Sequence, residues 1–388
     1  MTDEQARRTV VLLGAGASRA SDYELPTMQG FFAEGLLTAD SVDGGGKYSL
    51  LWKFLQETYG VDRKGDVSKQ LADVNLEEVI THLFNLEHSL LPINRHRKAE
   101  LQSAREELDA YVYQRLIDEP SAKGNSNRTA DKTQTDVEPS PPGMEGSPPP
   151  CRAFHCEKHE RVFHELALLH DSIISINYDL VADGTLQKMK ETRGQTDDAR
   201  SSRDQFRERS RGLLGFSPNW DLRGIGPCND EMALGYYLKL HGSLDYLYCP
   251  NSSCPQHHTF YENRPTLKRY DLPESSFCKL CGRQLVNAII PPALGKSMDD
   301  FPKINVIWSM AYNKLLEADR WIIWGISLAE SDHLFRTLLR EAAHEAKRKD
   351  TLDVSVINPC EAAASKVESV VCAEVRRHEC VEDHLDGK

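Results

Sequence analysis

The chain has 388 residues, with 40% hydrophobic and 27% charged side chains, a globular composition with room for one large domain or two modest ones. A formal net charge of −12 argues against a general nucleic-acid binder, which carries a basic excess or stripe, and no apolar run approaches the roughly 20 residues of a membrane-crossing helix. The opening Met1-Thr2-Asp3-Glu4-Gln5 lacks a basic region followed by an apolar core, so a cytoplasmic protein is expected, whose ten cysteines point to metal binding or scattered buried thiols rather than a disulfide framework.

The first predicted element is a buried strand, Thr9–Leu13, which breaks into Gly14-Ala15-Gly16-Ala17-Ser18. Glycine torsions and missing side chains let a phosphate or another backbone approach such a turn closely. No third glycine completes a dinucleotide fingerprint, so the turn alone fits a plain tight turn equally well. A helix follows over Asn75–Phe84, capped by Asn75, with Leu76, Val79, Ile80 and Leu83 on one face. The basic run Arg95-His96-Arg97-Lys98 reads as a solvated helix face. Residues 119–150 hold almost no apolar side chains, end in proline clusters and are expected to be disordered.

Ser172–Ile176 is the second predicted strand and leads into Asn177-Tyr178-Asp179. Residues 190–212 are dense in Arg, Asp, Glu and Ser and read as a charged, mobile insertion. The third strand, Tyr236–Leu240, leads into His241-Gly242-Ser243, and the fourth, Val286–Ile290, into Pro291-Pro292 with Lys296 close behind. Trp321–Trp324 leads into Gly325-Ile326-Ser327. A helix follows Asp332, with Leu334, Phe335, Leu338 and Leu339 as its apolar stripe. Asp353–Ile357 leads into Asn358-Pro359. The six strands are continuous apolar runs, as parallel strands buried on both faces are. Alternating with helices, they predict a single α/β domain built on a doubly wound parallel sheet. In such a sheet ligands bind beyond the carboxyl ends of the strands, and small hydrogen-bonding residues follow each of the six.

Between the third and fourth strands lie Cys249-x4-Cys254 and Cys278-x2-Cys281. Two close cysteine pairs have the spacing of a four-thiolate zinc ribbon, here an inserted module over residues 245–285. A variant replaces one thiolate with His257 or His258. Four thiolates leave no open position, so the Zn²⁺ expected is structural rather than catalytic. Cys151, His155 and Cys156 cluster without a recognisable ligand spacing.

Taken together, Gly14-Ala15-Gly16-Ala17-Ser18, Asn177-Tyr178-Asp179, His241-Gly242, Gly325-Ile326-Ser327 and Asn358 resemble, in content and order, the motifs of the sirtuins and sirtuin-like proteins. The resemblance spans residues 9–359 and implies a Rossmann-like domain that binds NAD⁺, with a smaller zinc-bearing domain inserted. Protein-deacylating sirtuins carry Gly-Ile-Pro-Asp-Phe-Arg after the first turn. Tyr23-Glu24-Leu25-Pro26-Thr27-Met28 keeps the proline and lacks the Asp-Phe-Arg. Leu25-Pro26, Asn75-Leu76-Glu77-Glu78-Val79, the Asn-Tyr-Asp and Leu240-His241-Gly242-Ser243-Leu244 look more like the bacterial sirtuin-like branch. Several members of that branch hydrolyse NAD⁺ in anti-phage defence.

The resemblance implies the following roles. Gly14, Ala15, Gly16 and Ser18 cradle the diphosphate, and Ser327 and Asn358 contact the adenosine half. Ala17, Pro26, Thr27, Gly242 and Gly325 complete the cofactor-binding set. Asn177 orients a water or the ribose, Asp179 supports that loop and the nicotinamide pocket, and His241 is the general base, a role imidazole suits at neutral pH. Structural alternatives stand beside these: Asp179 as a helix N-cap, His241 as a ring bonded into the sheet edge, Lys296 as a surface cation and Trp324 as core. The leading expectation is an NAD⁺ hydrolase. An NAD-dependent deacylase acting on an acyl-lysine protein is the alternative, and a non-catalytic binder of NAD⁺ or ADP-ribose the third. Oligomerisation is left open.

Overall fold

The computed structural model describes residues 8–33, 46–62, 65–87, 95–118, 154–166, 171–193, 236–251, 253–255, 260–262, 277–290, 302–329, 332–347 and 352–387. The expected insertion over 119–150 lies outside these residues, as do 194–212 of the charged insertion, whereas residues 190–193 end a helix. Pro291, Pro292, Lys296, His257 and His258 also lie outside them.

Among the described residues the strands are β1 (Thr9–Leu13), β2 (Ser172–Ser175), β3 (Tyr237–Lys239), β4 (Gly242–Tyr248), β5 (Phe260–Glu262), β6 (Val286–Ile289), β7 (Arg320–Trp324), β8 (Asp353–Ile357) and β9 (Arg376–His378). Six form one sheet in the order β3-β2-β1-β7-β8-β9, with every neighbouring pair parallel. The chain runs outward from β1 to β3 on one side and from β7 to β9 on the other. The strand order therefore reverses between β1 and β7, as in a doubly wound sheet compatible with a Rossmann-like fold.

Among the described residues the α-helices are α1 (Ala15–Arg19), α2 (Ser49–Tyr59), α3 (Val67–Ala72), α4 (Leu76–Glu87), α5 (Arg95–Tyr113), α6 (Glu157–His164), α7 (Val181–Arg193), α8 (Pro302–Glu317), α9 (His333–Lys347), α10 (Glu361–Val371) and α11 (Val381–Asp386), and α5 runs on into a π-helical turn over Gln114–Asp118. The two-residue period of the strands sorts their side chains between the sheet faces. Val10, Leu12, Ile323 and Val356 pack with residues of α8, α9 and α10. Val11, Leu13, Ile322 and Ile357 pack on the other face with residues of α6, α7 and α11. Each such side chain contributes about 1.5–3 kcal/mol on full burial. A third core joins α2, α4 and α5 around Phe31, Phe32, Tyr48 and Tyr111.

Asn75 caps α4 as predicted, its Oδ1 accepting the Glu77 and Glu78 N–H groups at 2.8 and 3.3 Å. The stripe on α9 needs correcting. Phe335, Leu339, Ala342, Ala343 and Ala346 are buried, but Leu334 is 46% exposed, because residue 334 lies a turn-fraction off the i, i+4, i+7 row.

The expectation that Val286–Ile290 joins the parallel sheet is also corrected. Val286–Ile289 pairs antiparallel with β4, in a three-stranded sheet ordered β5-β4-β6. The chain does not leave β3 for a helix. Gly242, at φ +80, turns it at once into β4, and an added Cβ there would lie 1.9 Å from the Ala288 oxygen. Both faces of β6 are covered, so its apolar run looked like a parallel strand.

Candidate functional site

The turns after β1 and β7 cross in direct backbone contact. Gly14 N–H donates to Trp324 O, Gly16 N–H to Gly325 O and Gly325 N–H to Ile357 O, each at 2.9–3.0 Å. A Cβ on Gly325 would stand 2.1 Å from Ala17 N, and one on Gly16 would stand 2.8 Å from Gly325 Cα. The small residues of both motifs are thus required by this crossing at the point where the strand order reverses.

A cleft of about 770 Å³ opens beside it, within the size range of cofactor pockets. The carboxyl ends of four parallel strands line it: Ala15 and Gly16 after β1, Ile176 and Asn177 after β2, Gly325–Ala329 after β7 and Asn358–Cys360 after β8. Thr27 and Asn75 line it from the helical side. Arg19 and Lys158 supply positive charge, and Glu77, Asp332, Glu379 and Glu382 supply negative charge.

Of the predicted site residues, Ala15, Gly16, Thr27, Asn177, Gly325, Ser327 and Asn358 line the cleft, with Pro26 adjacent in sequence to Thr27. Gly14, Ala17, Ser18, Asp179, His241 and Gly242 are not among the lining residues and form its support. Asn177 Nδ2 donates to Gly14 O at 2.9 Å and Ser18 Oγ at 3.0 Å, which fixes the amide orientation. Ser18 hydrogen-bonds the Asp179 carboxylate, whose Oδ1 also accepts the Val181 N–H at the start of α7. Burial pushes the Asp179 carboxyl up, while the Ser18 hydroxyl and nearby Lys239 oppose the shift. Lys239, fully buried, donates to Asp179 O at 2.7 Å and pairs with Asp183 at 3.0 Å. The Asn-x-Asp motif therefore ties β1, β2, β3 and α7 together beneath the cleft. Asn358 holds its own turn, donating to Ile326 O and accepting the Cys360 N–H.

His241 is 3% exposed, with Nδ1 3.2 Å from Ile290 O and Nε2 3.2 Å from Asp332 Oδ2. Asp332 lines the cleft and also caps α9, its Oδ1 accepting the Phe335 N–H at 3.2 Å. Sequence reasoning found Asp332 only as the start of a helix. Nothing local links it to His241, 91 residues earlier. Arg19, Lys158, Cys360 and Cys380 are further lining residues that no motif marked.

The four cysteines between β4 and β6 gather, with all four Sγ atoms within 4.8 Å of one another, in a group that could bind a metal ion. Cys249 and Cys281 are 3.5 Å apart and Cys254 and Cys278 3.7 Å, close to the ~3.8 Å edge of a tetrahedron with ~2.3 Å metal–sulfur bonds. Cys278–Gly282 form a tight knuckle, with Gly282 at φ +67 and its N–H on Cys278 O. Burial and its thiol neighbours push Cys249 up to about 12, while the Arg283 N–H draws Cys281 down to about 6.

No protein-family model matches the sequence, and no curated protein matches it either. No helix among the described residues is long and apolar enough to cross a membrane.

Proposed function

We propose that the cleft takes NAD⁺ and that the protein is a sirtuin-like enzyme that hydrolyses the nicotinamide–ribose bond. The observation that carries this reading is the cleft itself, which brings together at the sheet's reversal the residues named by the motif resemblance, with a buried His–Asp pair in its wall. Breaking the glycosidic bond leaves its electrons on nicotinamide and positive charge on the ribose. Water then bonds to the anomeric carbon and gives up a proton. Asn177 Oδ1 orients that water or the ribose, and the pair of His241 with Asp332 takes the proton. The turns carrying Gly16 and Ser327 admit the dinucleotide closely, and Arg19 and Lys158 favour its diphosphate.

The four-cysteine group holds structural Zn²⁺ in this reading. Thiolates suit that ion, and their spacing fits tetrahedral coordination. The same group favours a second reading, an NAD-dependent deacylase whose partner is an acyl-lysine protein. The missing Asp-Phe-Arg favours the first. The test is to incubate the purified protein with NAD⁺, with and without an acylated peptide, and to identify the products. Nicotinamide and ADP-ribose without peptide are expected. Peptide-dependent release with O-acyl-ADP-ribose establishes the deacylase instead. Binding without turnover leaves a non-catalytic binder, and neither binding nor turnover refutes an NAD⁺ site.

A further inference from the structure

Resting on the NAD⁺ reading, we infer that Asp332, rather than His241, is the catalytic residue that accepts the proton in the cleft, with His241 acting through it as a positioning residue. Ile290 O can only accept, so Nδ1 of His241 carries a proton. Nε2 faces a carboxylate oxygen at 3.2 Å. Both nitrogens are thereby turned to oxygen acceptors, and the ring is edged by Trp308 and Tyr178, with centroids 5.7 and 6.4 Å away. No nitrogen lone pair faces the cleft. The imidazole would have to break one of these bonds to take a proton from substrate.

Asp332 is placed differently. It lines the cleft, whereas His241 is not a lining residue. Its Oδ2 lies 3.2 Å from Nε2 and its Oδ1 accepts the Phe335 N–H, and each carboxylate oxygen keeps a further lone pair. Fixed on both sides, the carboxylate can receive one more hydrogen bond, from a ribose hydroxyl or from water. In the step, that O–H bond breaks, the proton passes to Asp332, and the oxygen's electron pair goes to the anomeric carbon or stays on the ribose oxygen. His241, with Nε2 3.2 Å from Oδ2, holds the carboxylate in place.

Asp332→Asn tests this without removing the helix cap, because Asn caps as well as Asp. The expected result is a loss of nicotinamide release of at least about 100-fold, the usual scale of general-base removal, with ADP-ribose binding retained. Asp332→Glu recovers part of the rate. His241→Gln, which leaves the carboxylate at the cleft, retains more activity than Asp332→Asn. An inactive His241→Gln beside an active Asp332→Asn overturns the assignment. A wild type that leaves NAD⁺ intact with or without peptide overturns the parent reading, whereas turnover that persists in Asp332→Asn overturns this assignment alone.

Discussion

His159, on α6, is 1% exposed, its ring centroid lies 4.4 Å from that of Trp324, and neither of its ring nitrogens has a hydrogen-bond partner among the described residues. Burial holds it neutral, with its pKa lowered to about 3. In the unfolded chain it protonates near pH 6.5, so stability is fully present above that pH and is lost as the pH falls from there toward 3. At pH 5 this one group costs about 2 kcal/mol. His159→Phe is expected to shrink the drop in urea midpoint between pH 7.5 and pH 5, and an unchanged drop would show that the ring is not held neutral. At this scale the sequence was partly legible. Asn177 and His241 stood out because each follows a strand, yet their chemistry depends on Gly14, Ser18 and Asp332, partners that only the fold supplies.

The crossing of the β1 and β7 turns is where single elements decide the cleft. Gly325 sits at φ +68 with a Cβ position 2.1 Å from the backbone of α1. Gly325→Ala combines left-handed strain, about 1–2 kcal/mol for a residue with a side chain, with a clash that must push the two turns apart. It is expected to lower the urea midpoint far more than Gly30→Ala, where φ is +73 but nothing lies within 4 Å of the added carbon. Equal losses would mean that torsion alone explains both glycines. The strands themselves were legible as apolar runs because β1, β2, β7 and β8 are buried on both faces. Pairing direction was not. Val286–Ile289 carries the same signature while running antiparallel to β4, and the turn at Gly242 that makes β4 its partner was legible as a strand end but not as a reversal. The short edge strand β9, Arg376–His378, is polar and partly exposed, so no hydrophobic run announced it.

Across the whole molecule, two regions depend on different forces. The parallel sheet is held by large apolar cores on both faces. Among the described residues of the β4–β6 module, Leu247 and Leu285 cluster with Cys249, Cys254 and Cys278, and a bound metal would add folding energy there directly. Cys278→Ser is expected to lower zinc content by elemental analysis and to expose the β4–β6 amides to hydrogen exchange while leaving β1 and β7 protected. A metal-free wild type with the same protection would refute structural zinc. The cysteine spacing made this cluster legible from sequence, since ligand pairs are local. The cleft was legible only as a set of strand ends, four of which line it directly, with the His241 end reaching it through Asp332.

The most direct test of the cleft as a dinucleotide site is calorimetric titration of the protein with ADP-ribose, beside Ser327→Trp. Ser327 is exposed and lines the cleft, so the indole fills the space without disturbing a core. One bound ADP-ribose per chain in the wild type, lost in Ser327→Trp, is the expected result. No heat of binding in the wild type, or equal binding by both proteins, would contradict the account.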